Sequence, residues 1–297
     1  MRIAITGASG LVGGALRTLL ARRGHQVAAP RRGAGESTWD VETGAIHVPG
    51  GIDALVHLAG RNVATHWTTR VKREIWESRV TATKKLCAFL AEMPPETRPR
   101  VLIAASAIGI YGDRGDELLT EESPVEQRKG ESFLADVCRG WEEATVAAER
   151  VGIRVVHARL GVVLAKEGGA LAALLTPTKL FLGGPVGSGT QFLSWISLPD
   201  VVAMLAAAVE DDSFRGVMNA VAGTVRQHAF MRTLGGVLHR PTLFPMPGLV
   251  VRAIFGRMGR EVLLSSQRVA CTRSPAGFVP RDLTLQAAMR RVLDKNA

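Results

Sequence analysis

The stretch from Ile3 to Gly13, IAITGASGLVG, constrains this chain more than any other. A short apolar run meets Gly7, Gly10 and Gly13 and leaves as a helical pattern carrying Leu16, Leu19 and Leu20. Strand, glycine turn and helix therefore arrive in the order that a dinucleotide site requires. Gly7 permits a sharp turn, Gly10 lets backbone approach a pyrophosphate, and Gly13 lets the helix lie close to its strand. Thr6 ends the strand, and Leu11 and Val12 open the helix, whose first N–H groups would face phosphate oxygens. The plainer alternative is a glycine-rich turn that only joins strand to helix.

Gly24 stops that helix, and a second strand over residues 26–30 ends at Arg31-Arg32. An acid at this place accepts from a free 2′-hydroxyl, whereas arginine holds a 2′-phosphate through forked, charge-assisted hydrogen bonds. The pair therefore points to NADP rather than NAD, against the alternative of a solvated basic turn. The run IDALVHLAG, residues 52–60, reads as a buried strand whose end offers Leu58, Ala59 and Gly60 to a cofactor. His57, inside that run, reads as a core histidine.

Further along, the segment around Trp39-Asp40 could supply a short third strand, and residues 69–93 a long amphipathic helix ended by Pro94-Pro95. A strand over residues 101–106 leads into SAIGIYGD, an acidic loop spans residues 113–124, and a helix follows over residues 132–151. Another strand at residues 153–159 continues into LGVVL. Alternation of this kind predicts an α/β fold with a doubly wound parallel sheet. The regularity fails past Leu164, so the expected division is a nucleotide-binding domain over 1–165 with a return near 196–222, and a small cap from 166–195 and 223–297.

The chain of 297 residues carries 37 basic and 27 acidic side chains, a net +10. That excess is scattered, and aromatic residues make up only 5%, which argues against a nucleic-acid partner and leaves an anionic small ligand. Cys87, Cys138 and Cys271 show neither zinc spacing nor a disulfide framework, so no metal is expected and the compartment reads as reducing and cytoplasmic. No apolar run is long enough for a bilayer, so no membrane partner is expected.

Taken in series, TGASGLVG, HLAG, ESRVTATKKL, SAIGIYGD, RLGVVL and GSGTQFLSWISLPDV resemble the extended short-chain dehydrogenase/reductases, the sugar-nucleotide epimerase and dehydratase group. SFLADVCRGWE and GGPVGSGTQFLSWI are similar to its atypical branch of epimerase family proteins. The resemblance covers almost the whole chain and implies a Rossmann domain with a small C-terminal substrate domain. It assigns the dinucleotide to Gly7, Gly10, Gly13, Arg31, Arg32, Leu58, Ala59 and Gly60, and more loosely to Val163. Arg79 falls where such proteins usually have asparagine, and would face a phosphate or pair with an acid such as Glu74.

One departure outweighs the matches. The superfamily uses a tyrosine followed four residues later by lysine, because a phenol of pKa about 10 needs a neighbouring cation to work near neutrality. Here the only tyrosine is Tyr111, followed four residues on by Gly115. On the helix where the pair belongs, Phe133 with Val137, or Leu134 with Cys138, take the two places. Ser106 and Tyr111 remain the catalytic candidates, with Glu131, Asp136 and Cys138 as substitutes in principle. The resulting expectation is an NADP(H)-binding, atypical oxidoreductase or epimerase-like enzyme on an unidentified small substrate, acting as monomer or homodimer. The alternative is a non-catalytic protein that reports NADP(H) redox state.

Overall fold

Six parallel strands make the central sheet of the computed structural model, which describes residues 1–33, 35–125 and 130–294. They are β1 (Arg2–Thr6), β2 (Gln26–Ala28), β3 (Ala54–His57), β4 (Val101–Ala107), β5 (Arg154–Leu160) and β6 (Gly216–Ala220). Their spatial order is β2-β1-β3-β4-β5-β6. β1 lies between its successor and β3, with Ile3 opposite Val27 on one side and Ala54 on the other. Chain direction around the sheet reverses at β1, and a crevice opens there beyond the C-terminal strand ends.

Both faces of the sheet are covered, which is why its strands read as near-continuous apolar runs. Helix α1 (Leu11–Arg22) and the helix Leu198–Glu210 share one face, where Leu16 and Leu20 meet Ile3, Ile5, Val201 and Leu205. Leu198–Glu210 is apolar nearly all round because it is buried nearly all round. On the other face, Ala82–Glu92 and Val146–Arg150 bury Leu86, Leu90 and Ala148 against Leu55, Leu102 and Val155. The long helix expected over residues 69–93 is not continuous. It runs as Thr69–Trp76, a π-helical turn over Glu77–Thr81, and Ala82–Glu92.

The third strand expected near Trp39 does not join the central sheet. Thr38–Trp39 pairs antiparallel with Ile46–His47, and an isolated Arg31–Thr38 bridge links it to the segment that follows β2. Trp39 instead buries its ring edge-on to His57, at 5.3 Å between centroids. His57 is itself the expected core residue: it is fully buried between Thr6 and Thr83 hydroxyls, and burial pushes its imidazole down to about 4.

A second sheet holds Val162–Leu164, Phe192–Ser197 and Gly223–Arg226. The chain leaves β5 for it at Gly161, where a Cβ would stand 2.9 Å from the Ser194 carbonyl oxygen. Helices Gly169–Lys179, Gln227–Leu238 and Leu285–Leu293 close a separate core over this sheet, around Trp195, Phe230 and Leu234. Among the described residues no helix is long and apolar enough to cross a membrane.

Gly13 is the tightest point between α1 and the turn, since a Cβ there would lie 2.3 Å from the Gly7 carbonyl oxygen. Gly13→Ala is therefore predicted to lower stability by about 1–3 kcal/mol, the usual cost of overpacking. Chemical denaturation measures it, and an unchanged midpoint would contradict the contact.

Candidate functional site

A cleft of about 1050 Å³ lies at the switch point, between the glycine turn, the end of β2 and the π-helical turn. Its inner wall is backbone. Gly7 has φ +74° and faces the Leu58–Ala59 peptide so closely that a Cβ would meet it at 2.8 Å. Gly10 caps α1 without any side-chain cap, and the first turn of that helix has no acidic residue. The N–H groups of Leu11, Val12 and Gly13 thus remain available to an anion, and the local dipole favours one.

The charges around the cleft leave a positive surplus. Glu74 is paired with Arg61 and Arg70, Glu77 with Arg73, and Glu42 with Lys85. Arg17, Arg31 and Arg32 also line the cleft, and none of them has a carboxylate partner among the described residues. Arg31 and Arg32 were anticipated from the sequence, whereas Arg17 was not. Its signal was the small-residue face of α1, where Gly10, Gly14 and Arg17 follow at helical spacing with no large apolar side chain among them.

The other predicted residues divide. Ala59 and Gly60 line the cleft, and Leu58 contributes backbone behind Gly7. Thr6 ends β1 with its hydroxyl turned to His57 Nδ1 at 2.7 Å, so its side chain belongs to the core. Leu11 rests against Gly168 and Gly169, and Val12 joins the apolar core. Val163 pairs with Ile196 in the second sheet, away from the cleft lining.

Arg79 does not pair with Glu74. It sits on the π-helical turn with its guanidinium 5.1 Å from the Trp141 ring, and a Cβ on Gly60 would lie 2.9 Å from its Cζ. Its buried Nη1 has no hydrogen-bond partner, and burial lowers its pKa, partly countered by neighbouring Cys138. A guanidinium behind Gly60 with one buried N–H group unsatisfied is a ready donor to any acceptor that reaches it.

Ser106 and Tyr111 do not reach the cleft. Both belong to a buried polar network around Glu142 and Arg159. Arg159 holds Glu142 through two hydrogen bonds of 2.8 Å, and Ser106 Oγ donates to the same carboxylate at 2.7 Å. Tyr111 is fully buried. Its hydroxyl accepts from Arg159 Nη1 at 2.8 Å and shares its proton between the Thr120 carbonyl and Asn219 Oδ1, each at 2.9 Å. Burial raises the phenol's pKa despite Arg159 beside it. A phenol so buried and so fully bonded ties the strand end to Asn219 and Arg159. The sequence signal for the network was Arg159 itself, a charge inside an apolar strand that must find a partner.

The helix Phe133–Glu143 offers no replacement pair. Phe133 stacks edge-on against Trp67 at 5.2 Å, and Val137 is buried in the same cluster. Cys138 is buried, and burial, reinforced by Glu142, pushes its thiol up to about 12. Asp136 is engaged by Arg139 and by the Gly130 N–H. The helix's N-terminus is capped from the far end of the chain, where Glu261 accepts from Ser132 Oγ and from the Phe133 and Leu134 N–H groups.

With this geometry in view, residues 3–220 match the model of the NAD dependent epimerase/dehydratase family. The chain belongs to that family. Residues 246–292 match a second model, a domain of unknown function (DUF1731). Curated relatives include the epimerase family protein SDR39U1 of Homo sapiens, 35% identical over 99% of this chain and 100% of the relative. The chloroplastic SDR39U1 homolog of Arabidopsis thaliana is 34% identical over 99% of this chain and 87% of its own. Among solved structures, human SDR39U1 (isoform 2) with NADPH superposes with a TM-score of 0.86 at 32% identity, covering 98% of this chain and 99% of that one. A UDP-galactose 4-epimerase matches in fold, with a TM-score of 0.71 at 18% identity, covering 98% of this chain and 97% of that one.

Two substitutions test the network as a structural unit. Tyr111→Phe leaves Arg159 and Asn219 each short of a partner and is predicted to cost about 1–3 kcal/mol of stability. Glu142→Gln breaks a buried pair and is predicted to cost about 3–5 kcal/mol. Burial raises the Glu142 carboxyl, but the Arg159 hydrogen bonds and charge outweigh it and hold the pKa below the ordinary 4.5. The pair's contribution is therefore full above that value and lost as pH falls through the lower, folded one. Urea midpoints measured from neutral to acid pH read this loss, and in Glu142→Gln that part of the pH dependence should vanish.

Proposed function

We propose that this chain binds NADP(H) at the switch-point cleft and is an oxidoreductase or epimerase-like enzyme on a small substrate, working without the tyrosine-lysine pair. The observation that carries this reading is the set of Arg17, Arg31 and Arg32, cations without a carboxylate partner among the described residues, on a cleft lined by the Gly7–Ser9 turn that leads into the uncapped start of α1. A ligand with a central diphosphate and a further phosphate on its adenosine ribose matches that distribution. The relative solved with NADPH supports the same choice.

In this reading the N–H groups of Leu11, Val12 and Gly13 hold the diphosphate, and Gly7 and Gly10 admit it. Arg31 and Arg32 hold the 2′-phosphate, with Arg17 adding charge, while Ala59 and Gly60 wall the cleft beside Arg79. Bound NADP(H) supplies hydride transfer at its nicotinamide. Ser106 and Tyr111 then serve as positioning residues: with Glu142 and Arg159 they fix the end of β4 against β5 and the helix Phe133–Glu143.

A second reading, a non-catalytic NADP(H)-binding protein, draws on one specific observation. The helix face of Phe133, Leu134, Val137 and Cys138 holds no group that exchanges a proton near neutral pH. The two readings part on turnover. Oxidation of bound NADPH by a member of a panel of carbonyl compounds and nucleotide sugars supports the enzyme, and tight binding with no oxidation across the panel supports the second reading.

The cofactor assignment has its own test. Arg31→Ala combined with Arg32→Ala is predicted to weaken NADPH by about tenfold or more, the scale of one or two charge-assisted hydrogen bonds, and to leave NADH nearly unchanged. Equal losses for both nucleotides would remove the 2′-phosphate from these arginines.

A further inference from the structure

A stretch of surface beside the second sheet is apolar where it meets solvent. Leu180, Phe181 and Leu182 leave the helix Gly169–Lys179 as three consecutive exposed apolar side chains. Their loop is tied to the tract that follows helix Gln227–Leu238. The Phe244 N–H donates to the Gly183 carbonyl at 3.2 Å, and the Met246 N–H donates to the Pro185 carbonyl at 2.8 Å. Leu243 and Phe244 are exposed as well, Leu243 to 76%.

The chain then enters the helix Gly248–Met258. Its inner side, with Val251, Phe255 and Met258, packs into the protein, and Phe255 and Met258 join the cluster of Trp67 and Phe133. Its outer side shows Leu249 at 77% exposure, Val250 at 40% and Ile254 at 56%. A short helix that is apolar on both sides has something to bury on both sides.

The charges say what that partner is. Between Ser213 and Arg260 the sequence has seven arginines and no aspartate or glutamate, and between Gly168 and Pro199 its only charged side chain is Lys179. Lys179 adjoins Leu180, Arg240 stacks over the Phe181 ring at 4.9 Å, and Arg252 stands exposed on the helix. None of the three has a carboxylate partner among the described residues. A second copy docked across a twofold axis would press these cations against themselves. An anionic lipid surface accepts both features, with apolar side chains entering the headgroup boundary and cations meeting lipid phosphates.

We propose that this face, formed by residues 180–182, 243–244 and the outer side of Gly248–Met258, docks the protein peripherally on an anionic bilayer. The contact lies on the membrane and does not span it, so the lack of a membrane-crossing helix among the described residues is compatible with it. The helix breaks at Gly256, with φ +56° and ψ −134°, and the turn Gly259–Leu263 beyond the break carries Glu261, which caps the helix Phe133–Glu143, so the membrane-facing element reaches that helix through a kink.

Co-sedimentation of the full chain with vesicles tests this, using phosphatidylcholine alone and phosphatidylcholine mixed with phosphatidylglycerol. Binding to the mixed vesicles is expected, at least about tenfold weaker on phosphatidylcholine and weakened by salt. Leu249→Ser with Ile254→Ser, and separately Lys179→Glu with Arg252→Glu, should each cut it by about tenfold or more. Both variants alter exposed side chains, so their denaturation midpoints should stay at the parent's, which keeps a loss of binding interpretable. Three results would overturn the proposal: no binding of the parent to mixed vesicles, equal binding by parent and variants, or a dimer abolished by Leu249→Ser and Ile254→Ser without vesicle binding. The measurement needs no nucleotide, so its failure leaves the cofactor reading untouched.

Discussion

The bare α-carbon of Gly13 against the carbonyl of Gly7 is the contact on which the rest of the site depends. It sets how close α1 comes to the turn after β1, and therefore where the first N–H groups of that helix lie. Gly7 in turn presses against the peptide between Leu58 and Ala59, which locks the end of β3 beside the same turn. Two strand ends and one helix N-terminus are thus fixed by backbone alone. The three unpaired arginines add charge to a frame that side chains did not build.

A second constraint acts on the other side of the crevice. Arg159 lies in a strand otherwise buried among apolar neighbours, and a charge there is tolerated only with its partner. Glu142 supplies that partner and recruits Ser106, while Arg159 recruits Tyr111. The same network reaches Asn219 at the end of β6, whose amide donates to the Ala270 carbonyl. Ser106 and Tyr111 are in this way bonded into a network that ties strand ends together. The face where a tyrosine and lysine belong is instead filled by Phe133 and Val137 against Trp67 and Met258.

Much of this was legible in the sequence because it depends on short-range patterns. The glycine spacing, the apolar strands and the basic pair after β2 each report local geometry, and the sheet formed as the alternation required. What escaped reading depends on partners distant in the chain. The ring of Trp39 chose the core beside His57 over a place in the sheet, and no local signal separates those outcomes. The π-helical turn that carries Arg79 is one extra residue of slack in a helix whose apolar spacing looks regular. Ser106 and Tyr111 stand at a strand end, where exposure and burial look alike until Glu142 and Arg159 are placed. The outward apolar face of Gly248–Met258 falls in the cap region, where the regular alternation has ended, and it shows only through the exposure of Leu249 and Ile254.

The central claim is that the cleft is built for a dinucleotide with a phosphate on its adenosine ribose. Titration of the unmodified protein with NADPH and with NADH, following nicotinamide fluorescence, tests it most directly. The account predicts that NADPH binds tighter by about tenfold or more, with a preference that shrinks as salt screens the arginines. Equal affinity for the two nucleotides, or no binding of either, would contradict it.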